Sequence, residues 1–329
     1  MNLRVLAVAA VLWATAACTS SESPPPGGLE WKHGAIPVAI RYAVPDTCPE
    51  TDGPPECASW MIWAFTDKQA KLVADYDETG EAEGGRSYRI RVPDAAVWVP
   101  TSGGAAVMPG FSVSRDGHRV AYFSVARQRF VAHDLPSGLV RDLSPVVGTA
   151  GLPTEATAIS ADGDGFAVSD GEQVFVTDFG TGRTTALPRA DGVIGITRDT
   201  VFASSGDTVV RFLRGSGARL NDFPLPSGAR LSPDGLRLAV VGEQPADTIE
   251  LLDAVTGERR EPLRPSPLKE PTVSSAEAWL SPKALLIRTF TAGTQEFTGF
   301  FSLDVTTGRT ARVKRLPLDP EAVGIGAVS

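Results

Sequence analysis

The side chains able to do acid–base, metal or nucleophilic chemistry are few in this chain. Its 329 residues contain three histidines, His33, His118 and His133. His133 precedes Asp134, and a His–Asp pair orients a general base when both groups face the same way. They sit in the alternating stretch "FVAHD", where neighbouring residues point to opposite faces, so packing rather than catalysis is expected of them. The run "DGDG" at 162–165 opens like a calcium loop but lacks the later acidic ligands, which leaves an ordinary β-turn. No Gly-x-Ser-x-Gly elbow, no His-Glu-x-x-His and no Gly-x-x-x-x-Gly-Lys occurs, so hydrolase, zincin and nucleotide readings have no motif to stand on. The expectation is no catalytic residue, no metal ligand and no cofactor.

Polar residues do recur at regular places. Gln128, Gln173, Gln244 and Gln295 each precede a strand-like run, near the acids Asp170, Glu172, Asp207, Glu243, Asp247 and Glu296. A ring of amides and carboxylates suits a polar or cationic ligand or a basic partner segment. The plainer reading is ordinary solvent-facing loop chemistry multiplied by duplication. From this set Gln128, Gln173, Asp207, Glu243, Gln244 and Gln295 are the candidate binding residues. Trp60, Trp63, Trp98 and Trp279 lie near strand-like runs, where packing is expected and a stacking platform for sugars is the alternative.

The elements that would position these residues are strands. Hydrophobic residues make up 42% and charged residues 21% of the chain, enough apolar content for a large core, and 33 Gly and 26 Pro are spread along it as many short strands and turns require. A net charge of −8 argues against a nucleic-acid partner, which needs a cationic face. The one dense basic spot, Arg312, Lys314 and Arg315, alternates as a solvated outer strand would.

The N-terminus reads as an address. Arg4 precedes an apolar run from Val5 to Ala14 that is short for a membrane span and ends in small residues, as a secretory signal does. Thr15-Ala16-Ala17-Cys18 resembles the lipobox of bacterial lipoproteins, which implies lipidation at Cys18 and an anchor outside the cytoplasm. Thr15 stands where Leu is usual, and the alternative is a plain cleaved signal and secretion. Residues 1–18 are therefore read as signal peptide, 19–30 as a Ser/Pro/Gly-rich tether, and 31–329 as one folded domain. No second hydrophobic span is present, so attachment is expected through lipid alone. The remaining cysteines, Cys48 and Cys57, flank a turn-rich loop and are expected to form a disulfide in an oxidising compartment.

A phrase repeats along the folded part. "LSPDGLRLAVV" from Leu231 has looser copies at Phe65, Phe111 and Ile159, and the turn it contains gives the landmarks Asp67-Lys68, Asp116-Gly117, Asp162-Gly163, Asp199-Thr200, Asp234-Gly235 and Pro282-Lys283. Their spacing is that of one four-stranded propeller blade. A second landmark follows each, a strand closed by Gly103, Gly138, Gly182, Gly217, Gly257 or Gly308, where a tight hairpin needs positive φ. These residues resemble the WD40-like repeats of TolB-type bacterial proteins, with "SPDG" and "DxxTG" carrying the likeness. The resemblance implies an all-β, six-bladed β-propeller. The C-terminal "AVGIGAVS" is one more inner strand, able to pair with residues 35–42 and seal six blades or to begin a partial seventh.

In an antiparallel blade the first and third turns share one side of the disc, and the longer links share the other. The long links from Leu143 and Leu263 put the expected site on that second side. The leading expectation is a non-enzymatic, monomeric binding or protein-interaction module whose partner is another envelope protein or a polar ligand. The alternative is a hydrolase or lactonase-like propeller enzyme acting on a sugar-derived substrate through loop carboxylates and a bound metal.

Overall fold

A computed structural model of the chain describes residues 29–30, 39–46, 59–67, 77–82, 85–100, 106–147, 152, 157–160, 163–242, 247–268, 271–291, 294, 296–313 and 324–325. Every regular element among them is a strand. The strands form six radial blades, antiparallel from strand to strand and lettered a to d from the axis outward; a single bridge from Ala95 to Ser124 joins blades one and two, and Leu29–Glu30 adds a parallel pair on Gly85–Ala96. Blade two is Ser112–Val113, Arg119–Ser124, Arg129–Asp134 and Leu139–Asp142. Blade three is Thr157–Ile159, Gly165–Ser169, Val174–Asp178 and Thr184–Leu187. Blade four is Gly192–Ile196, Thr200–Ser205, Thr208–Leu213 and Arg219–Pro224. Blade five has Arg230–Leu231, Arg237–Val241 and Ile249–Asp253, with single bridges at Arg259 and Leu263 in place of a regular outer strand. Blade six is Pro271–Ser281, Ala284–Thr291, Phe297–Asp304 and Thr310–Arg312.

Blade one is assembled from both ends of the chain. Ala39–Asp46, Ser59–Asp67 and Gly85–Ala96 supply strands b, c and d. Gly324–Ile325 supplies strand a, pairing Ile325 with Tyr42 and Gly324 with Ala43. The terminal strand therefore seals six blades. This corrects the first landmark: Asp67 ends a third strand, not an inner one, because the inner strand of this blade is Gly324–Ile325, from the opposite end of the described chain. The first closing landmark shifts as well. Val99–Pro100 pairs with Ala106–Val107 in a small hairpin between blades one and two, and Gly103 lies outside the described residues. The link from Leu263 is also shorter than expected, since strand a of blade six already begins at Pro271.

A four-stranded sheet with two apolar faces must bury both, and a ring of sheets does so with one core per pair of neighbours. Six such cores are present. Ile40, Ile62 and Ile90 meet Val113, Val120 and Tyr122 between blades one and two. Phe123 and Phe130 meet Phe166 and Phe175 between two and three, and Val176 and Leu187 meet Val201 and Phe212 between three and four. Phe202 and Phe223 meet Leu238 and Leu252, then Leu251 meets Leu285 and Leu303. Tyr42 packs with Leu286 and Phe300, which closes the circle from blade six to blade one.

The repeated phrase has a hydrogen-bonding purpose that fixes each a–b hairpin. In blade two the buried Ser114 hydroxyl donates to Asp116 Oδ1 at 2.6 Å and accepts the Arg119 N–H at 2.8 Å. Ser232 repeats this with Asp234 and the N–H of Arg237, and Ser160 accepts the N–H of Gly165. At the c–d hairpins an aspartate one position ahead of the turn receives its N–H groups: Thr181 N–H to Asp178, Val255 and Thr256 N–H to Asp253, and Thr306 and Thr307 N–H to Asp304. The closing glycines Gly138, Gly182, Gly217, Gly257 and Gly308 all have φ between 68° and 75°, as the sequence requires of them.

Candidate functional site

The side bearing the b–c and d–a connections carries three of the six candidate residues among those described. Gln128 and Asp207 are exposed and Gln173 is half-buried, each in the b–c connection of blades two, four and three in turn. Glu243, Gln244 and Gln295 lie outside the described residues. The main chain of this set holds the loops together: Val147 N–H donates to the Gln128 carbonyl at 2.8 Å, and Leu225 N–H to that of Asp207 at 2.8 Å.

Several acids on this side have structural duties. Asp94 accepts the Ser124 hydroxyl and the Ala126 N–H. Asp170 accepts the N–H groups of Glu172 and Gln173, and Asp191 accepts the Ser204 hydroxyl and the Gly206 N–H. An acid used in this way stiffens a short loop and keeps little capacity for a ligand. Exposed apolar groups were not part of the expected site, and they are present here. Trp98 is 38%, Val125 48% and Val146 58% exposed. The loops bearing them are tied together, since Val125 N–H donates to the Asp94 carbonyl at 3.0 Å and the Val147 bond reaches Gln128.

The other chemistry-bearing residues take structural places. His133 is fully buried in strand c of blade two, paired across the sheet with Val120 and Val140. Asp134 points elsewhere, to Arg119 Nε at 2.9 Å and to Ser137. His118 lies on the tight-turn side with its Nδ1 3.5 Å from Asp116, both half exposed. His33, Cys18, Cys48 and Cys57 lie outside the described residues. Trp60 stacks on Phe111 at 5.1 Å between blades one and two, Trp63 stacks on Tyr42, and Trp279 donates its Nε1–H to the Arg230 carbonyl across blades six and five. Packing thus accounts for three of the tryptophans, and Trp98 is the exception. Among the described residues no three His, Cys, Asp or Glu side chains gather into a cation site. Arg312 lies exposed at the end of the outer strand of blade six, and Lys314 and Arg315 lie outside the described residues.

The tight-turn side is built around arginines that cross from blade to blade. Arg119, at the start of strand b in blade two, reaches the Gly163 carbonyl at 2.7 Å and Asp164 Oδ1 at 2.5 Å in the next blade, with its guanidinium 4.5 Å from the Phe179 ring. Burial alone would lower the Arg119 value, but its hydrogen bonds to Asp164 and Asp134 outweigh this and hold it above the ordinary arginine value. Arg237 holds the corresponding place in blade five and reaches the Pro282 carbonyl at 3.0 Å. In blade three the corresponding residue is Gly165, and a Cβ there would lie 2.5 Å from the Arg214 guanidinium carbon. Arg214 enters that space from blade four and donates to the Asp164 carbonyl at 2.7 Å and to Asp178 Oδ2 at 3.2 Å.

Beside Arg214 lies a cleft of about 970 Å³ between blades three and four. Its walls come from the turns of both blades: Asp164, Asp178, Thr181 and Arg183 on one, Arg198, Asp199 and Leu213 to Ser216 on the other. The Asp178 carboxyl is held below its usual range by the Thr181 N–H and hydroxyl, with Arg214 adding to the effect. No motif in the sequence marks this cleft. Its signal is indirect, a glycine where two other blades have arginine.

No protein-family model matches the chain, and no curated protein matches it. Among solved structures the chain is similar to a hydrazine synthase chain of Kuenenia stuttgartiensis, with 17% identity over 64% of this chain and 66% of that one, just under two thirds of its length, and a TM-score of 0.43. It is similar to a chain of a mitotic checkpoint complex, with 15% identity over 77% of this chain and 73% of the other and a TM-score of 0.40. It is also similar to the β-propeller domain of Cps50 (Swd1) from Myceliophteria thermophila, with 16% identity over 61% and 73% of the two chains and a TM-score of 0.38.

Proposed function

We propose that this chain is an extracytoplasmic lipoprotein of the WD40-like, TolB-type kind, anchored through Cys18, whose propeller binds a protein partner rather than turning over a substrate. The observation that carries the reading is the apolar group Trp98, Val125 and Val146, exposed on loops that hydrogen-bond to one another. Apolar side chains held on stiff loops beside polar residues resemble the centre and rim of an interaction surface. Gln128, Gln173, Glu172 and Asp207 supply the polar surroundings in the same and following blades. The partner that fits is an envelope protein presenting an apolar residue flanked by basic ones, because the exposed acids of this side would meet the basic groups.

The test is site-specific photo-crosslinking in cells from positions 98, 125 and 146, with Leu236 on the opposite side as the control position. One shared adduct from the three positions and none from 236 supports the proposal. Adducts that are the same from both sides, or none at all from the three, would remove it. Anchoring is tested separately: Cys18→Ala is expected to abolish incorporation of labelled fatty acid and release the chain from the membrane fraction.

A further inference from the structure

We infer that the cleft between blades three and four, on the side opposite the proposed interaction surface, binds a sugar bearing a carboxylate or phosphate group. Two guanidiniums at its lips, Arg183 and Arg198, are exposed and make no ion pair or side-chain hydrogen bond with a described residue. Each guanidinium offers five N–H donors in a planar fork that matches a carboxylate or phosphate. The acids of the cleft are largely committed. Asp178 serves Arg214 and its own turn, and Asp164 serves Arg119. Three arginines and three aspartates line the cleft, which is formally neutral within a protein of net charge −8, and Arg183 and Arg198 are the two guanidiniums of the lining left without a described carboxylate partner.

The remaining lining fits the rest of a sugar. Asp199 accepts hydroxyl protons, and the exposed Leu213 offers apolar surface to the C–H face of a ring. The volume of about 970 Å³ accommodates one or two rings. The cleft also has a firm floor. Arg214 is anchored by the Asp164 and Arg198 carbonyls and by Asp178, so ligand binding would not need to order it.

Titration calorimetry of the full chain with glucuronate, glucose 6-phosphate and neutral glucose tests this. Two variants accompany it. Arg183→Gln with Arg198→Gln removes the free charges. Gly215→Trp fills the opening, and it should leave the fold intact because a Cβ at Gly215 meets nothing within 4 Å; an unchanged Tm verifies that. The expected result is binding of one or both anions at least about tenfold tighter than glucose, a loss of at least about tenfold in the double arginine variant, and no binding in Gly215→Trp. Whichever anion binds distinguishes the carboxylated from the phosphorylated class. Equal binding of glucose, no heat from either anion up to about 10 mM, or undiminished binding by Gly215→Trp would overturn the inference. Crosslinking at the opposite side is unaffected by these outcomes, so the two readings stand or fall separately.

Discussion

Gly257 sits at a blade junction under two constraints that can be separated by experiment. Its φ is +75°, and a Cβ there would approach the Phe223 ring of blade four to 2.7 Å. Gly206 has φ +55° with nothing within 4 Å, and Gly215 has neither constraint. An L-residue in the left-handed region costs roughly 1–2 kcal/mol, so Gly206→Ala should lose about that much. Gly257→Ala should lose a further 1–3 kcal/mol or so, because Phe223 is buried among Leu238 and Leu252 and has no free space to move into. Gly215→Ala should be neutral or gain about 0.5 kcal/mol through the unfolded chain. At about 2 °C per kcal/mol for a chain of this size, calorimetric Tm values should fall by about 2–4 °C for Gly206→Ala and about 4–10 °C for Gly257→Ala. A Phe223→Ala background should remove the second contribution and leave Gly257→Ala costing only the backbone strain. Equal losses at Gly206 and Gly257, or an unchanged Gly257→Ala cost without the Phe223 ring, would refute the reasoning.

Three further expectations concern the turns and clasps. The carboxyls of Asp253 and Asp304 are held low by the N–H groups of Thr256 and Val255 and of Thr306 and Thr307, and in Asp134 the bonds from Ser137 and Arg119 outweigh a burial that would raise it. A carboxyl lowered on folding stabilises fully above its unfolded value near about 4 and stops doing so as pH falls through the lowered folded value. Urea midpoints should therefore drop below about pH 4, and the slope should flatten in Asp178→Asn with Asp253→Asn, where an acceptor remains but no proton is taken up. Gly165→Ala should displace the Arg214 guanidinium and lower stability by about 1–2 kcal/mol in urea unfolding, through the loss of its bonds to Asp164 and Asp178. Arg119→Leu should cost about 2–3 kcal/mol by the same measurement, since the Gly163 carbonyl and Asp134 lose a charged donor, and a cost near zero would show that the clasp is incidental.

The architecture was legible because each blade must contain both landmarks in one continuous stretch, and blades two to six do. Blade one does not: its inner strand is Gly324–Ile325, so the turn at Asp67 follows strand c instead of strand a and the local pattern there is out of step with the other blades. Two apolar runs pointed to pairing of the C-terminal run with residues 35–42, and the contact falls at the far edge of that stretch, on residues 42 and 43; the choice between six blades and a seventh partial one depended on the core formed by Tyr42, Leu286 and Phe300. For the sites, the period-two pattern separated His133 from Asp134 correctly, and Gln128, Gln173 and Asp207 do share one side. What sequence could not display was occupancy. The capping duties of Asp94, Asp170 and Asp191 depend on N–H groups up to 32 residues away, as between Asp94 and Ala126. The cleft depends on Arg214 filling the space left by Gly165, two residues that no local pattern connects.

Amide hydrogen exchange tests the closed circle most directly. In the full chain Tyr42 and Ala43 should exchange slowly, and deleting residues 321–329 should expose them and loosen the Leu286 and Phe300 junction while blades three and four keep their protection. Unchanged protection at residues 42 and 43 after the deletion would contradict a ring sealed by the chain's last strand.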